Sequence, residues 1–209
     1  MFSGIIEEKG MIVGKKISGQ VATISIRGEK IFEDLSPGDS ISVDGVCLTV
    51  EKIHFPVFSV TVSSETMRLT TLGSILPGTQ VNLERALKYG DRVGGHLLSG
   101  HIDFKTKISG KTDAGKSTVL KIKIPPDYRK FFVPKCSVGI DGISLTVADI
   151  KGDEILIWLI PYTIENTTMS NKKTGDYVNV EIDIVVKSII ERNVVSGERH
   201  DKINKEAIF

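Results

Sequence analysis

Few residues in this sequence have side chains suited to chemistry, and those that do come as a matched set. Ser144 and Thr146 lie in Asp141-Gly142-Ile143-Ser144-Leu145-Thr146-Val147, and Cys47 and Thr49 lie in Asp44-Gly45-Val46-Cys47-Leu48-Thr49-Val50. The two stretches are 97 positions apart and identical at five of seven positions. A period of two sends Ser144 and Thr146 to one face of a strand and Leu145 and Val147 to the other. Each copy thus offers two small polar groups that donate and accept hydrogen bonds, and one of the four, Cys47, is a thiol, a group that ionises more readily than a hydroxyl. Either copy alone reads as an ordinary strand with a core face and a wet face. Repetition of the same turn and the same threonine makes the pair a candidate site.

Other chemistry is set aside on context. Gly110-Lys111-Thr112-Asp113-Ala114-Gly115-Lys116-Ser117 fits the phosphate-loop pattern. Such a loop must open a helix, however, and the alternating Thr118-Val119-Leu120-Lys121-Ile122-Lys123-Ile124 that follows reads as a strand, so the motif is expected to be a hairpin tip. His96 and His101 are five apart, which aligns them neither on a strand face nor on a helix, and no metal site is expected. Cys47 and Cys136 are too few for a disulfide framework and occupy non-equivalent positions. No hydrolase-like order of Ser, His and Asp emerges.

The elements that must position these residues are themselves duplicated. The offset of 97 pairs Pro37 with Pro134, Ser40 with Ser137, Thr70 and Thr71 with Thr167 and Thr168, and Gly78, Val81, Asn82 and Glu84 with Gly175, Val178, Asn179 and Glu181. Ser3-Gly4 returns as Ser99-Gly100, so the seam falls near Gly94-Gly95-His96. The expected division is residues 1–96, 97–186 and a tail 187–209. Two copies at this period mean two small domains, not a solenoid. With 27 Lys+Arg against 26 Asp+Glu the chain lacks the basic footprint of a nucleic-acid binder, and nothing in it resembles a signal peptide or a membrane span. A cytoplasmic protein with reduced thiols is expected.

The first unit predicts strands at Met11–Val13, Gln20–Ile26, Ser40–Val43, Val46–Val50, Val57–Val62 and Gln80–Leu83. The Asp44-Gly45 hairpin signal calls for a turn with two positive φ angles, and a short helix is expected between Ser64 and Gly73. The second unit repeats the order, with strands at Lys105–Ile108, Val119–Ile124, Val138–Ile140, Ile143–Ala148, Ile155–Ile160 and Val178–Ile184. Many short strands with regular turns predict an all-β protein of sandwiches or closed barrels. Val185, Val186, Ile189, Ile190 and Val194 recur at helical spacing, so an amphipathic helix is expected, packed on its own barrel or on another subunit.

The chain resembles the alpha-chain type of riboflavin synthase. The resemblance runs from Met1-Phe2-Ser3-Gly4-Ile5-Ile6-Glu7 through Gly94-Gly95-His96-Leu97-Leu98-Ser99-Gly100-His101-Ile102-Asp103 to Ile160-Pro161-Tyr162-Thr163 and Val178-Asn179-Val180-Glu181-Ile182-Asp183. It implies two tandem six-stranded Greek-key barrels, a C-terminal helix that assembles a homotrimer, and a pteridine site in each barrel. The implied substrate is 6,7-dimethyl-8-ribityllumazine, two molecules per turnover, with no cofactor and no metal. The first pocket would use Cys47, Leu48, Thr49, Thr61, Val62, Ser63, Ser64, Glu65 and Thr66 with Gly100, His101 and Ile102 crossing from the other unit. The second would use Lys135, Ser144, Leu145, Thr146, Leu159, Ile160, Pro161, Tyr162, Thr163 and Ile164 with Gly4, Ile5 and Ile6. Ser3, Cys136 and Tyr162 stand where the family more often has Thr, Gly and His.

Moving a four-carbon unit between two identical lumazines asks for two similar pockets, and proximity can supply about 7–11 kcal/mol. Proton transfer adds roughly 10²–10⁴-fold. The resemblance makes His101 the proton-transfer candidate, with Ser144 and Thr146 as hydrogen-bond donors or a transient nucleophile, Cys47 in the corresponding role, and Asp183 as a supporting or ribityl-binding carboxylate. Two other readings of the same barrels are a lumazine or flavin carrier without turnover, which needs one intact pocket, and a pure assembly module.

Overall fold

The computed structural model describes residues 1–192. Strands β1 (Glu8–Ser18), β2 (Val21–Arg27), β3 (Ser40–Val43), β4 (Val46–His54), β5 (Val57–Ser63) and β6 (Gln80–Arg85) close an antiparallel barrel in the order β1-β2-β5-β4-β3-β6. Strands β7 (Phe104–Ala114), β8 (Ser117–Lys123), β9 (Ser137–Ile140), β10 (Ile143–Lys151), β11 (Glu154–Leu159) and β12 (Tyr177–Ile182) close a second barrel with the same cycle of neighbours. A helix follows the fifth strand of each, α1 (Ser64–Leu69) and α2 (Pro161–Asn166).

The alternation seen in the sequence becomes the inside and outside of each barrel. Ala22, Ile24 and Ile26 of β2 are buried, while the residues between them face outward. Each interior is filled by its own branched aliphatic cluster, with Ile41, Val60 and Leu83 in the first barrel and Val138, Ile157 and Val180 in the second. A small barrel must bend its strands, and both copies do so at bulges in equivalent places, Ile12/Gly14 with Ile108/Gly110 and Val50/Lys52 with Val147/Asp149. The turns are as the dipeptides demand: Asp44 and Gly45 have φ of 46° and 83°, Asp141 and Gly142 45° and 79°. Gly115-Lys116 forms the tip of the β7–β8 hairpin, with Ala114 opposite Ser117, and β8 follows in place of a phosphate-loop helix.

Some expectations shift in extent. β1 and β7 run well beyond the apolar stretches that mark them, because outward polar residues there have partners: the Lys15 ammonium donates to the carbonyls of Leu72 and Gly73, and Lys111 to those of Met169 and Lys172. The expected strand to Ile184 ends at Ile182, since Asp183 Oδ1 accepts the Val185 N–H and caps a helix over 184–192. Of that helix, Ile190 packs on the second barrel's core, whereas Val185 and Ile189 are 59% and 56% exposed. Val194 and the rest of the expected tail lie outside the described residues.

The barrels meet through the duplicated turns. Asn82 Nδ2 donates to the Asp141 carbonyl and Asn179 Nδ2 to the Asp44 carbonyl, each at 2.9 Å. Asp44 and Asp141 each accept the backbone N–H of their own barrel's asparagine, Asn82 or Asn179, at 2.7 Å. The turns approach so closely that a Cβ on Gly45 would lie 2.7 Å from the Gly142 nitrogen.

Candidate active site

The two openings of the repeat cross between the barrels. Phe2 and Leu98 exchange backbone hydrogen bonds at 2.8 and 3.0 Å, which sets residues 2–4 antiparallel to 98–100. Glu84 at the end of β6 is buried and accepts from the Ser3 N–H at 2.7 Å, the Ser3 hydroxyl at 2.8 Å and the Gly4 N–H at 3.1 Å. Glu181 on β12 does the same for Ser99 and Gly100. Burial pushes both carboxyl groups above their usual range, opposed by these donors. A carboxylate with several backbone N–H donors is a strong, directional clamp.

The clamps deliver each crossing strand to the polar pair of the opposite barrel. Gly4 O accepts the Ser144 N–H at 2.8 Å, and Gly100 O accepts the Cys47 N–H at 2.9 Å. Both glycines have positive φ, +75° and +80°, and a Cβ would lie 2.6 Å from Ser144 Cβ in one case and 2.4 Å from Cys47 Cβ in the other. Only glycine fits so close an approach. Each polar pair is therefore approached by the opening strand of the other repeat.

Ser144 and Cys47 are half-buried under these strands, with Thr146 and Thr49 exposed further along β10 and β4, while Leu145 and Leu48 point into the cores. The polar pairs lie on the outside of closed barrels whose interiors are full. Ile6 and Ile164 pack on the second core and Ile102 on the first. Val62 and Leu159 are buried in their barrels, Thr61, Thr66 and Thr163 are half-buried, and Ser63, Ser64, Glu65, Ile160, Pro161 and Tyr162 stand at the surface. Ser63 caps α1 by accepting the Thr66 N–H. Lys135 is exposed, with φ of +74° where its repeat mate is Gly38, and its N–H donates to Val147 O at 2.7 Å. A lysine held in the left-handed region beside β10 is the kind of strain that collects at functional sites.

His101 and His96 sit differently. His101 is exposed, with its backbone N–H on Ser99 Oγ. His96 instead turns into the second site: its Nδ1 is 2.7 Å from Ser144 Oγ and its backbone N–H donates to the same oxygen at 3.2 Å. Burial lowers its pKa below the usual 6.5, with the nearby Asp183 charge raising it in part. Sequence reasoning weighed His96 only as a metal ligand. Glu84 and Glu181 were visible only as an aligned pair, and their identity across the duplication was the signal that they hold something in both copies. Among the described residues no group of His, Cys, Asp and Glu is arranged to hold a metal ion.

Comparison with known proteins identifies the family. The lumazine binding domain family matches residues 3–86 and again residues 99–183. Riboflavin synthase of Actinobacillus pleuropneumoniae is 43% identical over 189 residues, covering 90% of this chain and 88% of that protein. Riboflavin synthase of Bacillus subtilis is 41% identical over 187 residues, covering 90% and 87%. The chain belongs to the riboflavin synthase family. Among solved structures, LumP complexed with 6,7-dimethyl-8-(1'-D-ribityl) lumazine is similar at a TM-score of 0.80 and 27% identity, over 87% of this chain and 99% of that one. LumP complexed with riboflavin is similar at 0.82 over the same shares.

Within this riboflavin synthase family chain the two candidate sites differ where the repeat has diverged. Trp158, Ile160 and Tyr162 are exposed beside the second site, whereas Thr61, Ser63 and Glu65 occupy the same repeat positions in the first. Flat, apolar side chains suit a heteroaromatic ring better than polar ones. Cys136, next to Lys135, is half-buried on the second core, and burial pushes its thiol up, so it is not a reactive thiolate.

Proposed function

We propose that the protein is a riboflavin synthase, which takes two molecules of 6,7-dimethyl-8-ribityllumazine, transfers a four-carbon unit from one to the other, and gives riboflavin and 5-amino-6-ribitylaminopyrimidinedione. The observation that carries this reading is that both crossing strands are clamped and both polar pairs retained, as a reaction between two identical molecules requires and a carrier does not. The ligands would lie against Cys47, Thr49 and Thr61–Thr66 with Gly100–Ile102 at one site, and against Lys135, Ser144, Thr146 and Leu159–Ile164 with Gly4–Ile6 at the other. Oxidation of one lumazine balances reduction of its partner, so neither a nicotinamide nor a metal is consumed. A homotrimer is part of the proposal, supported by the exposed Val185 and Ile189 on the helix that leaves the second barrel. No helix among the described residues is long and apolar enough to cross a membrane.

A second reading, a lumazine or flavin carrier, is favoured by the likeness to LumP. One assay separates the two. Purified, EDTA-treated protein mixed with dimethylribityllumazine is expected to develop riboflavin absorbance at the untreated rate. Tight binding with no riboflavin formed would make it a carrier, and activity lost to EDTA and restored by a metal would overturn the metal-free proposal.

A further inference from the structure

The contact between His96 and Ser144 has no counterpart in the first barrel: among the described residues no histidine nitrogen bonds the Cys47 thiol. Gly95 makes the contact possible. A Cβ there would stand 2.5 Å from Ser144 Cβ and 2.3 Å from Ser3 O, so the seam between the repeats can lie on β10 only with glycine at that place. Ser144 Oγ accepts the backbone N–H of His96 at 3.2 Å. In the 2.7 Å contact with Nδ1 either atom can donate, and the relay inferred below requires the tautomer in which the Ser144 O–H donates to Nδ1 and the ring proton sits on Nε2.

We infer that His96 is a positioning residue that accepts the Ser144 proton, so that this hydroxyl meets the ligand with an oxygen lone pair and relays protons between ligand and imidazole. The inference rests on the riboflavin synthase reading and assigns the second barrel the proton-abstracting role. Around tetrahedral Oγ, one direction is the Cβ bond, one the proton held by Nδ1, and one the lone pair filled by the His96 N–H, which leaves one lone pair for a ligand. The methyl at ring carbon seven of the lumazine is acidic because its carbanion spreads into the pteridine. When that C–H gives its proton to Oγ, the Ser144 proton passes to Nδ1. The C–H electron pair remains on the ligand, the imidazole becomes imidazolium, and the reverse path returns the proton with nothing else consumed. Asp183, whose field reaches His96 from the end of β12, favours the imidazolium, and Cys136, which feels the same carboxylate, is held neutral by burial. A hydroxyl needs such a base to take up a proton and pass one on, and the first barrel carries a thiol, Cys47, at this position.

The test compares wild type, His96→Asn, Ser144→Ala and the double variant. Asn places an acceptor near the Nδ1 position and cannot take a proton. Expected for His96→Asn are lumazine binding within about threefold by fluorescence titration, kcat down by roughly 100-fold, and slowed exchange of the ligand's methyl protons with D2O by NMR. The fall in kcat as pH drops through the lowered histidine pKa should also vanish. On the Ser144→Ala background His96→Asn should cost nothing more. Wild-type kcat and pH profile in His96→Asn, or losses that multiply in the double variant, would overturn the inference. Should His96→Asn not fold, ¹⁵N shifts of His96 in wild type decide instead: an Nε2–H tautomer at neutral pH supports the relay, and an Nδ1–H tautomer or an imidazolium above pH 6.5 overturns it. If wild type forms no riboflavin, the enzymatic reading fails by itself, and methyl exchange in bound lumazine still tests His96.

Discussion

At the scale of residues, the duplication sets up an internal comparison. Cys47 and Ser144 occupy the same position under equivalent glycines, Gly100 and Gly4, yet among the described residues only Ser144 has an imidazole behind it. Interchangeable sites would make Cys47→Ala and Ser144→Ala equivalent. We expect Ser144→Ala to lower kcat mainly, and Cys47→Ala to lower it by a different factor, with lumazine affinity in both within about tenfold, or 1.4 kcal/mol. Indistinguishable steady-state constants for the two variants would show that the divergence carries no functional asymmetry. Glu84 tests positioning from a distance. Gln in its place brings an amide donor toward the N–H groups of Ser3 and Gly4, losing charge-assisted bonds worth about 1.5–3 kcal/mol each. Urea unfolding of Glu84→Gln should show a loss of that order, and turnover should fall because Gly4 is no longer pinned on Ser144. Full stability with normal turnover would remove Glu84 from the site.

At the scale of elements, legibility followed how local the cause was. The Asp-Gly turns and strand faces could be read directly, since two positive φ angles and a period of two are written in adjacent residues. The crossing of Gly4 and Gly100 was legible only through family resemblance, because a clamp between Glu84 and Ser3 spans 81 positions and leaves no periodicity. His96 was missed because its role depends on a loop folding onto β10, and a lone histidine after two glycines carries no pattern. The C-terminal helix was legible as amphipathic, but which apolar residues face the home barrel was not. The structure gives Ile190 to the second core and leaves Ile189 exposed. Ile189→Glu should therefore leave the monomer's thermal midpoint nearly unchanged while light scattering shows dissociation of the proposed trimer. An intact trimer in Ile189→Glu would take this face out of the assembly.

At the scale of the whole molecule, the two barrels are joined by a polar seam that is not symmetric. Asp44 and Asp141 are both buried at the facing turns, but among the described residues one lysine serves them: Lys172 Nζ lies 2.8 Å from Asp141 Oδ2, and its repeat mate is the buried Ile75. Burial, and next the Asp141 charge, push Asp44 well above the ordinary aspartate range, with Lys172 and the Asn82 N–H pulling it back. Burial pulls Lys172 down, but the carboxylates of Asp141 and Asp44 outweigh it and hold the ammonium protonated throughout the neutral range. The sign of the linkage follows. A carboxyl whose folded pKa is raised binds more protons folded than unfolded, so its contribution is most favourable below about pH 4 and is lost as pH rises through the raised value. Stability from this seam should thus decline between roughly pH 5 and pH 8, and Lys172 is what limits the decline. Replacing it with Met leaves the Asp141 carboxylate buried without its counter-ion, a change that costs about 3–5 kcal/mol where the carboxylate stays ionised. Urea unfolding of Lys172→Met and wild type at pH 5 and pH 8 should show a larger deficit at pH 8, because at the lower pH the pair can take up a proton instead. An equal deficit at both pH values would mean that Lys172 acts by packing alone and that the seam does not titrate in this range.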